Sequence, residues 1–451
     1  MPAEGERVTP AHAAAMPKIV TPNANPAISA LPGAARYRLV GLEVALKPSV
    51  PYNYNLILLG SAETSEAQAP SDIIIDRCYI HGSPRQTLRR GIALNSARTV
   101  IANCWISDCH EEDTDAQAIL GWNGPGPFKI ENNRLEASGE NICFGGADPS
   151  IRGLVCSDIE VRRNYLVKPM SWRIGEPEYA GRPWLVKNLF ELKNARRLWM
   201  EGNILEYNWE HGQTGFAVLF TVRNENGGAP WCIVEDITFV NNLVRHSGSG
   251  INITGEDNQH PSQQTNRILI RNNLLLDINR QRWGGDGRMF QIISPKRPVR
   301  NLTIDRNTVL HGGGSSSGFL VLGGASANAS ADSFAFRDNI ISRGSYGAFG
   351  ESTGEGFPSF NRYCLNLDFS NNVLIGSSIS SYPPSTRFVA SIPDAKFIDV
   401  NGGDYRLAPD SPCRAGKTDE GAPGVDMDAL VRATQGVETG VRAAPMRGAM
   451  D

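Results

Sequence analysis

One short phrase recurs along the chain and limits what it can fold into: an alternating apolar run, then Asn, then another apolar residue. It is clear at Phe128-Lys-Ile-Glu-Asn-Asn133-Arg-Leu135 and returns at Ile159–Leu166 around Asn164 and at Leu198–Leu205 around Asn203. Further copies centre on Asn242, Asn273, Asn307, Asn339 and Asn372. A loose copy, Ile101–Ile106, contains Asn103, and Ile73–Ile80 carries Cys78 at the Asn position. The copies lie 25 to 39 residues apart. That suits a coil of about three short strands with loops of varying length. Period-2 alternation calls for strands, because successive side chains of a strand point to opposite faces. A second phrase falls between the copies, as in Gly91–Leu94, Asn141–Phe144, Gly215–Leu219, Gly250–Ile253 and Gly318–Leu322, and predicts another strand on a different face of the coil.

One such coil cannot bury its apolar face, whereas a stack of them gives a continuous Ile/Leu/Val/Phe interior. The predicted architecture is therefore an all-β parallel solenoid of stacked three-strand coils. Asn has a mechanical use at the corner: it tolerates left-handed backbone, and its amide can bond the equivalent Asn one coil away. His246 and His311, each four residues after its Asn, and His81 near Cys78 are assigned to the same structural turn. Cys78 and Cys104 are expected to be buried packing residues, and zinc-type Cys spacing is absent.

Hydrophobic residues make up 41% of the 451 and charged residues 20%, enough for a sizeable core. A net charge of -3 without a basic block gives no case for nucleic acid. Nothing approaches the roughly 18 consecutive apolar residues that span a bilayer. The start, rich in Pro and Ala, shows no signal peptide and reads as though it follows upstream sequence.

The chain resembles the right-handed parallel β-helix repeat proteins of the pectate-lyase-like superfamily from about Tyr37 to Pro412. Its closing phrase Asp404–Pro412 is similar to that of many bacterial members. The stretches Asn123–Phe128, Ser138–Gly146 and Phe190–Ala195 look like a bacterial subgroup whose members are mostly uncharacterised. The resemblance implies a right-handed helix, a polysaccharide substrate or ligand, and work outside the cytoplasm, secreted, periplasmic or at the cell surface. It spans lyases, hydrolases, epimerases and adhesins, so it does not choose the reaction. On this reading residues 1–36 are a leading segment or N-terminal cap, 37–416 the β-helix and 417–451 a C-terminal tail with a helix near Met427–Thr434.

Chemistry is sought between Asp113 and Asp257, where polar residues concentrate. In Lys187-Asn188-Leu-Phe-Glu191-Leu-Lys193, Glu191 and Lys193 point one way along a strand and Leu192 the other. The candidate catalytic residues are Lys193, Glu191, Arg223, Asp115 and Glu140; the candidate substrate contacts are Trp209, Gln213, Trp122, Asn141, Lys187 and Asp257. For β-elimination on a uronate, Lys193 or Arg223 would serve as base. Asp115, Glu140 and Glu191 would then hold a Ca²⁺ ion. For hydrolysis, two of the same carboxylates would flank the glycosidic bond. Trp105, Trp199 and Trp231 are assigned to packing. Motifs that carry catalysis in pectate lyases and polygalacturonases have no clear match; Glu256-Asp257 is a loose echo of a paired-Asp signature. The carbohydrate-active enzyme is favoured, with a non-catalytic binding or adhesin-like β-helix as the rival.

Overall fold

The computed structural model describes every residue except 1, 313–315, 325–328, 378–380, 415–420 and 442–451. The chain forms a right-handed parallel β-helix. Three long parallel sheets of 13, 11 and 11 strands run its length. The first opens with Lys18–Thr21, the second with Ile28–Ala30 and the third with Arg38–Val40, and the chain visits them in that rotation. Each coil thus gives one strand to each sheet.

Side chains at matching positions stack from coil to coil. In the second sheet Ile92, Ile119, Ile142, Phe190, Val218, Ile251, Phe290 and Leu320 lie in one register row. In the third, Ile101, Ile130, Val161, Met200, Phe239, Ile270, Ile304 and Phe336 form another. All sixteen are buried in the same core. At about 1.5–3 kcal/mol for each fully buried aliphatic or aromatic side chain, these rows are a large part of what holds one coil on the next.

The recurrent Asn residues form a ladder inside the corner between the third and first sheets. Each side-chain amide donates to the Oδ1 of the next, from Asn133 to Asn164 at 2.9 Å through to Asn339 and Asn372 at 3.1 Å. Backbone N–H groups of the same residues donate to the same oxygens, as Asn164 does to Asn203 at 2.8 Å. The left-handed backbone sits one residue earlier than expected. Asn132, Arg163, Asn241, Asn272, Arg306, Asp338 and Asn371 have positive φ, whereas the ladder Asn residues do not. The ladder Asn turns its amide inward, and its predecessor makes the bend. At the head of the ladder Cys104, not Asn103, holds the inner place, its N–H bonded to Asn133 Oδ1 at 2.8 Å. Both Cys78 and Cys104 are buried, and all eight cysteines are free thiols.

The solenoid begins before residue 37. Lys18–Thr21 already pairs with Glu43–Leu46, and Ile28–Ala30 with Ile57–Leu59, so residues 18–36 belong to the first coil. Residues 421–441 do not hang free. They run back along the corner, with the expected helix at Met427–Thr434. Gly424 N–H bonds to Asp338 O at 2.7 Å near one end of the solenoid. Arg163 bonds the carbonyls of Ala433 and Gln435, both at 2.7 Å, midway. The buried Arg7 reaches Val437 O at 2.8 Å, fastening this strap to the N-terminal segment.

Candidate active site on the second sheet

A break in the alternation of the second sheet, where the consecutive pairs Ala118-Ile119, Asn141-Ile142 and Leu189-Phe190 all turn inward, leaves an outer row of polar residues just before it on three coils. Gln117, Glu140 and Asn188 are register partners on the neighbouring strands Gln117–Gly121, Glu140–Phe144 and Asn188–Leu192. Three residues further along, Cys143 pairs with Glu191. Leu192 enters the core, while Glu191 and Lys193 are drawn together on the outer side, 3.9 Å apart.

Asp115, Glu140 and Lys187 converge. The Lys187 Nζ lies 2.5 Å from Asp115 Oδ1 and 3.6 Å from Glu140 Oε1. Gln117 donates to the other Glu140 oxygen at 2.7 Å. Asn188 lies between Glu191 Oε2 at 3.4 Å and Gln213 Oε1 at 3.2 Å, donating to both. Thr221 donates to Glu191 Oε1 at 3.3 Å, and Glu225 stands 3.9 Å from Lys193 on its far side. Floor and rim differ in exposure: Glu140 is 1% exposed, but the Asp115 side chain is 29% exposed.

This burial sets the protonation pattern. Burial, then the negative charges of Asp115 and Glu191, push the Glu140 carboxyl up to about 7, against the pull of Lys187 and Lys193. Near neutral pH, Glu140 is therefore a carboxylic acid that can give its proton. Its Oε1 has no hydrogen-bond partner, and neither has Gln117 Oε1 or Asn188 Oδ1. The two lysines move the other way. Glu191 raises the Lys193 ammonium well above its ordinary value despite burial. For Lys187, burial opposes the charge, but Glu140 and Asp115 outweigh it and its pKa is raised too. Both are firm cations, whereas a lysine base needs a lowered pKa.

Several candidate contacts lie elsewhere. Asn141 turns into the solenoid and bonds the carbonyls of Leu135 at 2.6 Å and Val167 at 3.1 Å, which corrects its assignment to substrate: its amide is already engaged and buried. Trp209 is 5% exposed and packs with Trp172, Trp184, Val186 and Trp283, so it offers no open ring face to a sugar. Arg223 follows Lys193 by one coil, its N–H bonded to Lys193 O at 2.9 Å, but its guanidinium is turned to Asp257 at 3.0 Å. Asp257 also accepts from the N–H groups of Asn224 and Gln259, which makes it the anchor of its own loop. Trp122 is half-buried, with the Arg90 guanidinium 5.0 Å from its ring centre. Of the tryptophans assigned to packing, Trp105 and Trp231 are half-buried, but Trp199 is 43% exposed on the third sheet. The three histidines keep to the corners. His246 bonds Asp277 at 2.8 Å, His81 bonds Gly82 O at 2.7 Å, and burial lowers His311 to about 4.

Among the described residues, no three His, Cys, Asp or Glu side chains converge as a metal-ligand set. The carboxylates proposed for Ca²⁺ do not fit it: the Lys187 and Lys193 ammonium groups lie against Asp115, Glu140 and Glu191, where a bound cation would have to sit.

Sequence reasoning missed Lys168. It is fully buried, and its Nζ donates to three successive carbonyls, Ala137 at 2.8 Å, Ser138 at 2.9 Å and Gly139 at 2.8 Å. Those carbonyls form the turn that delivers Glu140. Burial lowers the Lys168 ammonium to about 7, with Glu140 opposing the shift. A lone Lys after the strand Tyr165–Val167 carries no sequence signal for this; only the coil above reveals the turn it grips. Lys168→Met should orphan three carbonyls and cost about 1–3 kcal/mol in urea unfolding, since Met also relieves the cost of burying an ammonium. In the enzyme proposed below, it should also move the basic limb of the rate profile to higher pH, because a positive charge near Glu140 is lost. An unmoved limb would mean that Lys168 serves stability alone.

No family model matches the chain, and no curated protein matches it. Solved structures that resemble it include alginate lyases of the PL6 family. One, an Arg-to-Ala mutant, is 10% identical with a TM-score of 0.40, covering 82% of this chain and 53% of that one. Another, in complex with a trisaccharide, is 10% identical with a TM-score of 0.38, covering 86% of this chain and 82% of that one. The match thus spans about half the length of the first. Likeness of this extent carries no argument about the reaction.

Proposed function

We propose that the protein is an extracytoplasmic carbohydrate-active enzyme that hydrolyses a glycosidic bond of a polysaccharide on the outer face of its second sheet. One observation carries this reading: a buried Glu140 whose carboxyl is pushed up to about 7 beside the more exposed Asp115, with one lysine touching both. Two carboxyl groups in unlike surroundings are what acid and base roles at neutral pH require.

In this mechanism the glycosidic oxygen enters beside Asp115 and displaces the Lys187 ammonium from Glu140 Oε1. Glu140 gives its proton to the leaving oxygen as the C1–O bond breaks. At the wider carboxyl separation water adds to C1 and gives its proton to the Asp115 carboxylate; at the shorter one Asp115 first bonds C1, and water then displaces it while giving its proton to the Glu140 carboxylate. The charge left on Glu140 is held by the Gln117 amide, 2.7 Å from Oε2, and by Lys187 once it closes back on Oε1 behind the leaving group. Burial keeps Glu140 protonated between turnovers, with the negative charges of Asp115 and then Glu191 adding to it. The raised pKa values of Lys187 and Lys193 favour hydrolysis over elimination by a lysine base.

The test is incubation with a panel of neutral and uronate polysaccharides, with Ca²⁺ and with chelator, reading reducing ends and unsaturated-uronide absorbance in parallel. New reducing ends without absorbance, equal in chelator, are the expected result. Absorbance that rises with the reducing ends would replace hydrolysis by elimination. Binding to a polymer with no product from any would establish the adhesin-like reading instead.

A further inference from the structure

The outer face of the third sheet carries a groove of about 490 Å³ that plays no part in the chemistry above. It is lined by Arg98, Val100, Lys129, Asp158, Arg197 and Trp199, among others. Val100, Lys129, Glu160 and Trp199 are register partners on four successive coils, so the groove follows the solenoid axis with a step of about 4.8 Å. Trp199 bounds the groove at one end and is the only exposed tryptophan among the described residues, 43% exposed.

Its ring is held in place rather than free. The indole N–H donates to Glu201 Oε2 at 3.1 Å, and the Arg162 guanidinium lies 5.8 Å from the ring centre. The charged walls are neutralised locally except at Glu160, whose carboxylate has no ion-pair partner among the described residues and would repel an anion. Arg98 grips Asp72 with two bonds of 2.7 and 2.9 Å, and Arg197 grips Asp158 with two of 2.6 and 2.9 Å. Lys129 meets Glu131 at 2.8 Å, and Arg162 meets Glu201 at 3.5 Å. An ionic ligand would have to break these pairs. A ligand with one apolar face and a rim of hydroxyl groups would not: the face stacks on the indole, and the hydroxyls exchange hydrogen bonds with the paired guanidinium and carboxylate groups.

We infer that this groove is a second carbohydrate-binding site, which takes a stretch of uncharged glycan chain laid along the solenoid axis with a sugar ring on Trp199. It lies on a different sheet from Glu140, so it anchors polymer without touching the bond that is cut. The inference rests on the polysaccharide reading for its ligand class but not on any cleavage step.

Native affinity electrophoresis tests it, with the full chain run through gels cast with hydroxyethylcellulose, galactomannan or polygalacturonate. At least one of the two neutral polymers should retard the wild type. Trp199→Ala should weaken that retardation about fivefold or more, the scale of a lost aromatic stacking contact. Trp199→Phe, which keeps a flat ring, should retain part of it, and Glu140→Gln should match the wild type. Unchanged melting of the exposed-site variants would show that they fold. Retardation by polygalacturonate alone, by no polymer, or equally in Trp199→Ala would overturn the inference, as would retardation lost in Glu140→Gln and kept in Trp199→Ala. A Trp199-dependent shift with no cleavage of any polymer would instead sink the hydrolase reading and leave this one standing.

Discussion

Glu140→Gln should lower kcat on the cleaved polysaccharide by about 10²–10⁴-fold, with a much smaller change in KM. Gln keeps the size of the side chain and its contact with Gln117, but it has no proton to give. The pH dependence separates this role from a structural one. In the wild type kcat should fall as pH rises past about 7, where Glu140 ionises. The residual rate of the variant should lack that limb. Stability should respond with its own sign. Between the ordinary carboxylate range and about 7 the unfolded chain releases the proton while the folded chain keeps it. The wild type therefore loses stability as pH climbs through that window, and Glu140→Gln should flatten the slope. A variant with full activity would remove Glu140 from the chemistry.

Much of the architecture is legible in the sequence, because it is repetitive. Ile130, Val161, Met200 and Phe239 recur at a fixed place before an Asn, and a solenoid that buries one face per coil converts that rhythm directly into a core row. The corner was harder to read. An Asn-Asn pair does not say which member bends the backbone and which bonds the coil above, and Asn132 and Asn133 divide those tasks. The first coil is obscured because Lys18–Thr21 lacks the phrase and is recognisable only by its pairing partner, Glu43–Leu46.

The site is legible in part. Alternation places Glu191 and Lys193 on one side of a strand. Burial, however, depends on the loops of three neighbouring coils, which decide that Glu140 is enclosed and Asp115 is not. The same dependence explains the tryptophans. Trp209 follows a strand whose outer surface is covered by the segment bearing Trp172 and Trp184, whereas no such segment covers Trp199. Lys168 and the turn at Ala137–Gly139 are some 30 residues apart in sequence and meet only through coil stacking.

The largest effect on stability is expected from Asn164→Ala, in the middle of the ladder. The Asn164 Oδ1 accepts two bonds from Asn133, at 3.0 Å from its backbone and 2.9 Å from its amide. The Asn164 amide in turn donates to Ile130 O at 2.9 Å and Asn203 Oδ1 at 3.0 Å. Alanine removes all four, leaves the buried Asn133 N–H and Ile130 carbonyl short of partners, and opens a cavity. At about 1–3 kcal/mol for each orphaned buried group, the loss should be about 3–5 kcal/mol in urea unfolding. Because each coil of the solenoid pairs only with its neighbours, faster hydrogen exchange should centre on the coils on either side, about residues 130–205, and on the part of the strap that Arg163 holds at Ala433 and Gln435. Asn372→Ala is the informative control. Asn372 receives bonds from Asn339 and donates to Phe336 O at 2.7 Å, but no further ladder Asn follows it. Mutual polarisation along a chain of amides strengthens its interior members, so the interior substitution should cost more than the terminal one. Equal costs would mean that each Asn acts alone as a local turn bond. In that case the ladder would hold single corners and would not couple one coil to the next.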